Sequence, residues 1–108
     1  MEDALLQSMT DTIVDNVAPE EAILFGSRAA EGGRPESDVD LLVVVPETEE
    51  ARHQRRCLTG RLYRSLARFP VSKDTHVYSR PEVERWRDVP GHILANCLSE
   101  GQRLYARS

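Results

Sequence analysis

Cysteine is scarce in this chain of 108 residues, which has only Cys57 and Cys97. No CxxC and no neighbouring ligand cluster accompanies either one, which excludes the usual zinc spacings. Two isolated cysteines in a chain with no leader read as reduced, packed thiols. Long apolar runs are missing too: none approaches the roughly 20 residues that a membrane helix needs. The first residues include Glu2, Asp3 and Asp11 where a secretory leader has a basic start and an apolar stretch. These absences predict a cytoplasmic protein with no membrane contact. Positive charge is not in excess either. The net charge of −4 argues against sequence-independent binding to nucleic acid, which depends on neutralising phosphates. No aromatic-rich basic platform offsets that balance, so direct nucleic-acid binding is not expected. There is no internal repeat, low-complexity tract or interdomain linker. At this length a chain can bury one core but not two, so residues 1–108 read as a single domain.

What is present is an ordinary globular composition, 40% hydrophobic and 30% charged. Leu5, Leu6, Met9, Ile13 and Val17 recur at helical spacing and predict a helix over residues 2–17, ended by Pro19 and Glu20-Glu21. Ala22 to Phe25 is a short apolar run stopped by Gly26, the pattern of a buried strand. Residues 29–37 are rich in loop formers. Residues 39–45 are almost continuously apolar, as in a strand covered on both faces, and Pro46 closes them. A long helix is predicted from Glu47 to Phe69, with Ala51, Leu58, Leu62, Leu66 and Phe69 as its apolar stripe. Its early glutamates suit the positive end of the helix dipole. Val71 to Tyr78 reads as a further strand, with Asp74, His76 and Tyr78 on one face. Ser79-Arg80-Pro81-Glu82 is a capping box, serine at the cap and glutamate three residues later. It opens a short helix to about Asp88. Pro90-Gly91 breaks this, and a last helix runs to Gly101 before a brief Arg103-Leu104-Tyr105 segment. The order α-β-loop-β-α-β-α-α predicts an α/β fold, a small mixed twisted sheet with helices packed mainly on one face.

The most informative stretch is Phe25-Gly26-Ser27-Arg28, followed by Ser37-Asp38-Val39-Asp40-Leu41. A glycine-serine turn suited to phosphate stands beside two acids at the head of a strand. Residues two apart on a strand share a face, about 7 Å apart. Carboxylates held that close repel one another, and a divalent cation relieves the repulsion. A phosphate turn next to such an acid pair points to nucleotide chemistry.

Gly26-Ser27 followed by Asp38-x-Asp40 at the start of an apolar strand resembles the signature of the DNA polymerase β-like nucleotidyltransferase superfamily. In particular the chain is similar to the minimal nucleotidyltransferases (MNT proteins), small antitoxins often paired with an all-helical HEPN toxin. Leu24 to Ala29, Arg34-Pro35, Ser37 to Leu41, Pro81 to Trp86 and the Gly101-x-x-Leu104-Tyr105 ending all carry the resemblance. It implies that Asp38 and Asp40 hold two Mg²⁺ ions against the triphosphate of ATP, a sparse ligand set of the kind magnesium accepts. Gly26, Ser27 and Arg28 would bind the nucleotide, glycine letting the backbone approach the phosphates closely. Asp74 would be the third acid, a metal ligand that also helps deprotonate the attacking hydroxyl. The implied reaction is attack on the α-phosphorus with release of pyrophosphate. The implied acceptor is a tyrosine of a HEPN-type toxin, in a hetero-oligomer, since so short a chain lacks a further domain to hold an acceptor.

The family commonly reads Gly-Ser-Arg-Ala-Arg-Gly, whereas this chain has Ala30 and Glu31 at the last two positions. A cation near the phosphates is lost and an acid gained. These two residues favour the alternative, an antitoxin that neutralises its partner by binding alone. A small-molecule acceptor such as an aminoglycoside ranks behind both. Other features have plainer readings. His76 is expected to pack or cap a neighbour. The arginines at 52, 55, 56, 61, 64 and 68 read as a solvated helix face. Tyr63, Tyr78, Tyr105 and Trp86 read as core or interface anchors. Arg87 and His92 have the spacing of a HEPN ribonuclease motif, but Pro90-Gly91 interrupts the helix, and the match is coincidental.

Overall fold

The computed structural model describes residues 2–25, 39–46 and 49–107. Along the chain the elements are α1 (Glu2–Val17), β1 (Glu21–Phe25), β2 (Val39–Val45), α2 (Glu49–Leu66), β3 (Lys73–Ser79), α3 (Arg80–Trp86), α4 (Ile93–Glu100) and β4 (Gln102–Ala106). The four strands form one sheet in the order β3-β2-β1-β4. β1 is antiparallel to both neighbours, and β2 and β3 run parallel. Parallel strands need a long crossover, usually helical, and α2 provides it.

β2 shows how the sequence builds two layers at once. Val39, Leu41, Val43 and Val45 point to one face, where they pack with Leu24 of β1, with Leu6, Met9 and Ile13 of α1, and with Leu62, Leu66 and Phe69 from and beyond α2. Leu42 and Val44 point to the other face and pack with Ile23, Val83 of α3, and Leu94 and Cys97 of α4. Side chains alternate along a strand, so a run apolar at every position must be covered twice. The two long helices share the first face, and the two short ones cover part of the second. The fold is the expected α/β arrangement, a small mixed sheet with four helices, and the larger share of the helix lies on one side.

Local signals account for most boundaries. Ala18 takes a left-handed φ of 46° just before Pro19, where the helical region is disfavoured, and α1 stops. Ser79 accepts from the Glu82 amide while the Glu82 carboxylate accepts from the Ser79 backbone, completing the capping box. Arg55 of α2 pairs with that same Glu82, tying the two helix starts together. This pairing, ahead of the cap bonds, holds the Glu82 carboxyl below its usual range. Arg80 lies among Glu20, Glu21 and Glu84, at 2.9, 3.6 and 3.6 Å. Burial works against its charge, but the hydrogen bond to Glu20 and the surrounding acids outweigh it and raise the guanidinium pKa.

Several expectations need correction. The C-terminal Arg103-Leu104-Tyr105 segment is a full strand, β4, paired with β1. β3 starts at Lys73, two residues later than the apolar pattern suggests. Its lysine ammonium instead donates to the Phe69 and Val71 carbonyls. α2 ends at Leu66, and Phe69 reaches the core from the turn that follows. α3 stops at Trp86 rather than near Asp88. Cys97 is buried, as a packed thiol should be, whereas Cys57 is exposed. Tyr63 and Trp86 are 47% and 37% exposed, so neither is a core residue.

Candidate active site

The acids meet where β1, β2 and β3 begin or end side by side. Phe25 is the Cα partner of Asp40, and Asp40 is the Cα partner of Asp74 in the parallel ladder. The three residues therefore form a row across three strands, each about 4.8 Å from the next. Val39 N–H donates to the Ser72 carbonyl at 2.8 Å, which extends the ladder just ahead of both acids. This pairing fixes the backbone beneath the carboxylates. Asp40, Leu42 and Val44 alternate on the α3/α4 face, so Asp40 belongs to the face carrying the smaller apolar cluster.

Environment separates the two acids. Asp40 is half-buried, under the face that α4 covers. Burial and the nearby Asp40 charge together push the Cys97 thiol up to about 11. Asp74 lies on the edge strand and its side chain is 58% exposed, with His76 Nε2 3.5 Å from Oδ2. The His76 ring in turn lies tilted against Phe25, with centroids 5.6 Å apart and planes at 51°. His76 thus has a neighbour on each side, in keeping with its packing role.

Asp40 and Asp74 are the two sequence-derived site residues that the structure brings together. Gly26, Ser27, Arg28 and Asp38 lie outside the described residues, as do Ala30 and Glu31. Among the described residues no group of three His, Cys, Asp or Glu side chains is placed to hold a metal. The donor chemistry nonetheless suits a hard cation. Two carboxylates stand on adjacent strands, and Asp38 stands two residues before Asp40 in the sequence. Oxygen donors of this kind, with open positions for phosphate and water, match magnesium's preferences. A cleft of about 210 Å³ between α1 and β4 lies away from this site, lined by Leu6, Gln7, Thr10, Gln102, Arg103 and Leu104. Its described lining carries no carboxylate, and β4 lies two strands away from β2.

Residues that sequence reasoning did not connect are Phe25 and Cys97. Their contact with the acid row depends on cross-strand pairing and on α4 folding back over the sheet. The residue pattern around each one reads only as core.

A four-stranded mixed sheet with acids on adjacent parallel strands has the form of a nucleotidyltransferase domain. The family model described as "Polymerase beta, Nucleotidyltransferase" matches residues 7–108, and the chain belongs to that family. Its general chemistry is therefore nucleotidyl transfer, which in this family uses a nucleoside triphosphate and a divalent metal. No curated protein and no solved structure matches the chain. No described helix is long and apolar enough to cross a membrane.

Proposed function

We propose that this protein transfers AMP from ATP to a hydroxyl of a partner protein, acting as the antitoxin of a HEPN-type toxin with a tyrosine as acceptor. The observation that carries the reading is the register of β2 and β3, which sets Asp40 beside Asp74 two residues after Asp38. Asp38, Asp40 and Asp74 are the residues that would hold two Mg²⁺ ions. Gly26, Ser27 and Arg28 would bind the triphosphate. Bound there, the cations supply charge neutralisation at the phosphates and ease ionisation of the attacking hydroxyl. Asp74, on the open edge of the sheet, is suited to accept the proton of that hydroxyl. The hydroxyl oxygen bonds to the α-phosphorus as the bond to pyrophosphate breaks. The antitoxin role, the tyrosine and the toxin partner rest on the likeness to minimal nucleotidyltransferases.

The test is label transfer from α-³²P-ATP with Mg²⁺ in extract of the native host, comparing wild type with Asp38→Asn/Asp40→Asn. A labelled protein band made only by wild type is the expected result. Equal labelling by the double variant would remove these acids from the site. Ala30 and Glu31 favour a second reading, neutralisation by binding alone. On that reading the double variant still protects cells from the toxin, and no label appears.

A further inference from the structure

His76 is not among the residues that carry the resemblance, and its surroundings point beyond packing. It follows Asp74 by two residues on β3 and so projects from the same face. Its Cα partner on β2 is Leu42, which is fully buried. Its ring rests against Phe25, the residue directly before Gly26-Ser27 in the sequence. One side of the imidazole is thus set against an aromatic wall. The other edge presents Nε2 to Asp74 Oδ2 at 3.5 Å.

Asp74 gains most from such a neighbour. Its carboxylate is more than half exposed, and an exposed aspartate on an edge strand samples several rotamers. His76 is the described side chain that contacts it. A cation site needs its ligands held before the cation arrives, and the residues that orient ligating carboxylates commonly govern metal affinity. At 3.5 Å the imidazole Nε2 reaches Oδ2 and restrains that oxygen, leaving Oδ1 open to a cation.

We infer that His76, braced by Phe25, is the positioning residue that holds Asp74 toward Asp40 and thereby sets the affinity of the divalent-cation site. This rests on the metal-dependent reading given above. His76 itself neither binds the cation nor exchanges a proton in the reaction. Its effect is on where the Asp74 carboxylate points.

The experiment is Mn²⁺ binding to the full-length protein at about pH 8, read from the electron paramagnetic resonance signal of free Mn²⁺, with thermal unfolding in parallel. His76→Ala should weaken Mn²⁺ binding about tenfold. His76→Gln, which restores an N–H donor of similar reach, should recover most of it. Both variants should unfold close to the wild-type temperature, because neither empties a core position. If His76→Ala binds Mn²⁺ as wild type does while Asp40→Asn does not, the positioning role is wrong and the metal site stands. If His76→Gln is as weak as His76→Ala, ring packing alone is responsible and the inference fails. If wild type and Asp40→Asn are equally unable to bind Mn²⁺, the metal-dependent reading falls and takes this inference with it.

Discussion

The two faces of the sheet are built from the same strands and are not equivalent. On the α1/α2 side β2 offers Val39, Leu41, Val43 and Val45, all buried, and the core runs the full length of the strand. On the α3/α4 side the corresponding row is Asp40, Leu42 and Val44, with Asp74 and His76 on the neighbouring strand. Along β2 one face is apolar at every position, and the other is apolar only at the end away from Phe25. The first supplies most of the hydrophobic stabilisation, and the second accepts a smaller cluster so that two carboxylates can stand together. Like charges side by side oppose folding, and the face opposite compensates by being complete.

That contrast can be broken most severely on the first face. Leu62 is fully buried against the strands, and Leu62→Ala should lower unfolding free energy by about 2–5 kcal/mol, measured by urea denaturation. On the second face the sharpest steric test is Gly101, at the end of α4. A Cβ there would meet the Cys97 carbonyl oxygen at 2.3 Å and Ile23 Cγ2 at 2.6 Å. Gly101→Ala should therefore cost about 1–3 kcal/mol and loosen α4 over Asp40, weakening Mn²⁺ binding as well as stability. A pH measurement separates the faces more gently. The Cys97 thiol ionises less readily in the fold than in the unfolded chain, from burial first and the Asp40 charge second. Its contribution is complete below the unfolded value of 9.0 and is lost as pH rises toward about 11. Over that window wild type should lose on the order of 2 kcal/mol relative to Cys97→Ala, followed by denaturation at each pH. The smallest effect has the opposite sign. Thr75, beside Leu41 on the apolar face, buries a hydroxyl with no partner among the described residues. Thr75→Val should stabilise the protein by about 1 kcal/mol, read as a rise in melting temperature.

Local pattern made much of the fold legible. α1 and β2 match the sequence-based spans because helical spacing and an unbroken apolar run each have one reading. β4 was hidden because Gln102-Arg103-Leu104-Tyr105-Ala106 has little strand character of its own. Its conformation comes from pairing with β1, a tertiary effect that strand propensity does not capture. The same division runs through the site. Alternation placed Asp74 and His76 on one face, and the motif marked Asp40. The contact between Phe25 and His76 spans β1 and β3, and no spacing within either segment reveals it. Cys57 misled for a related reason. Its isolation from other ligands suggested a packed thiol, but α2 turns that position to solvent.

The pairing of Asp40 with Asp74 joins residues separated by α2, thirty-four positions apart in the chain. Contacts of that separation form late, because the loop between them must close before any bond rewards it. Neither acid has its neighbour until the crossover has docked and the parallel ladder has zipped. A nascent or partly folded chain therefore carries both carboxylates as ordinary solvated groups. Competence to bind a divalent cation should appear in refolding only once the β2–β3 ladder has formed. The site then acts as a clock for the assembly of its own scaffold.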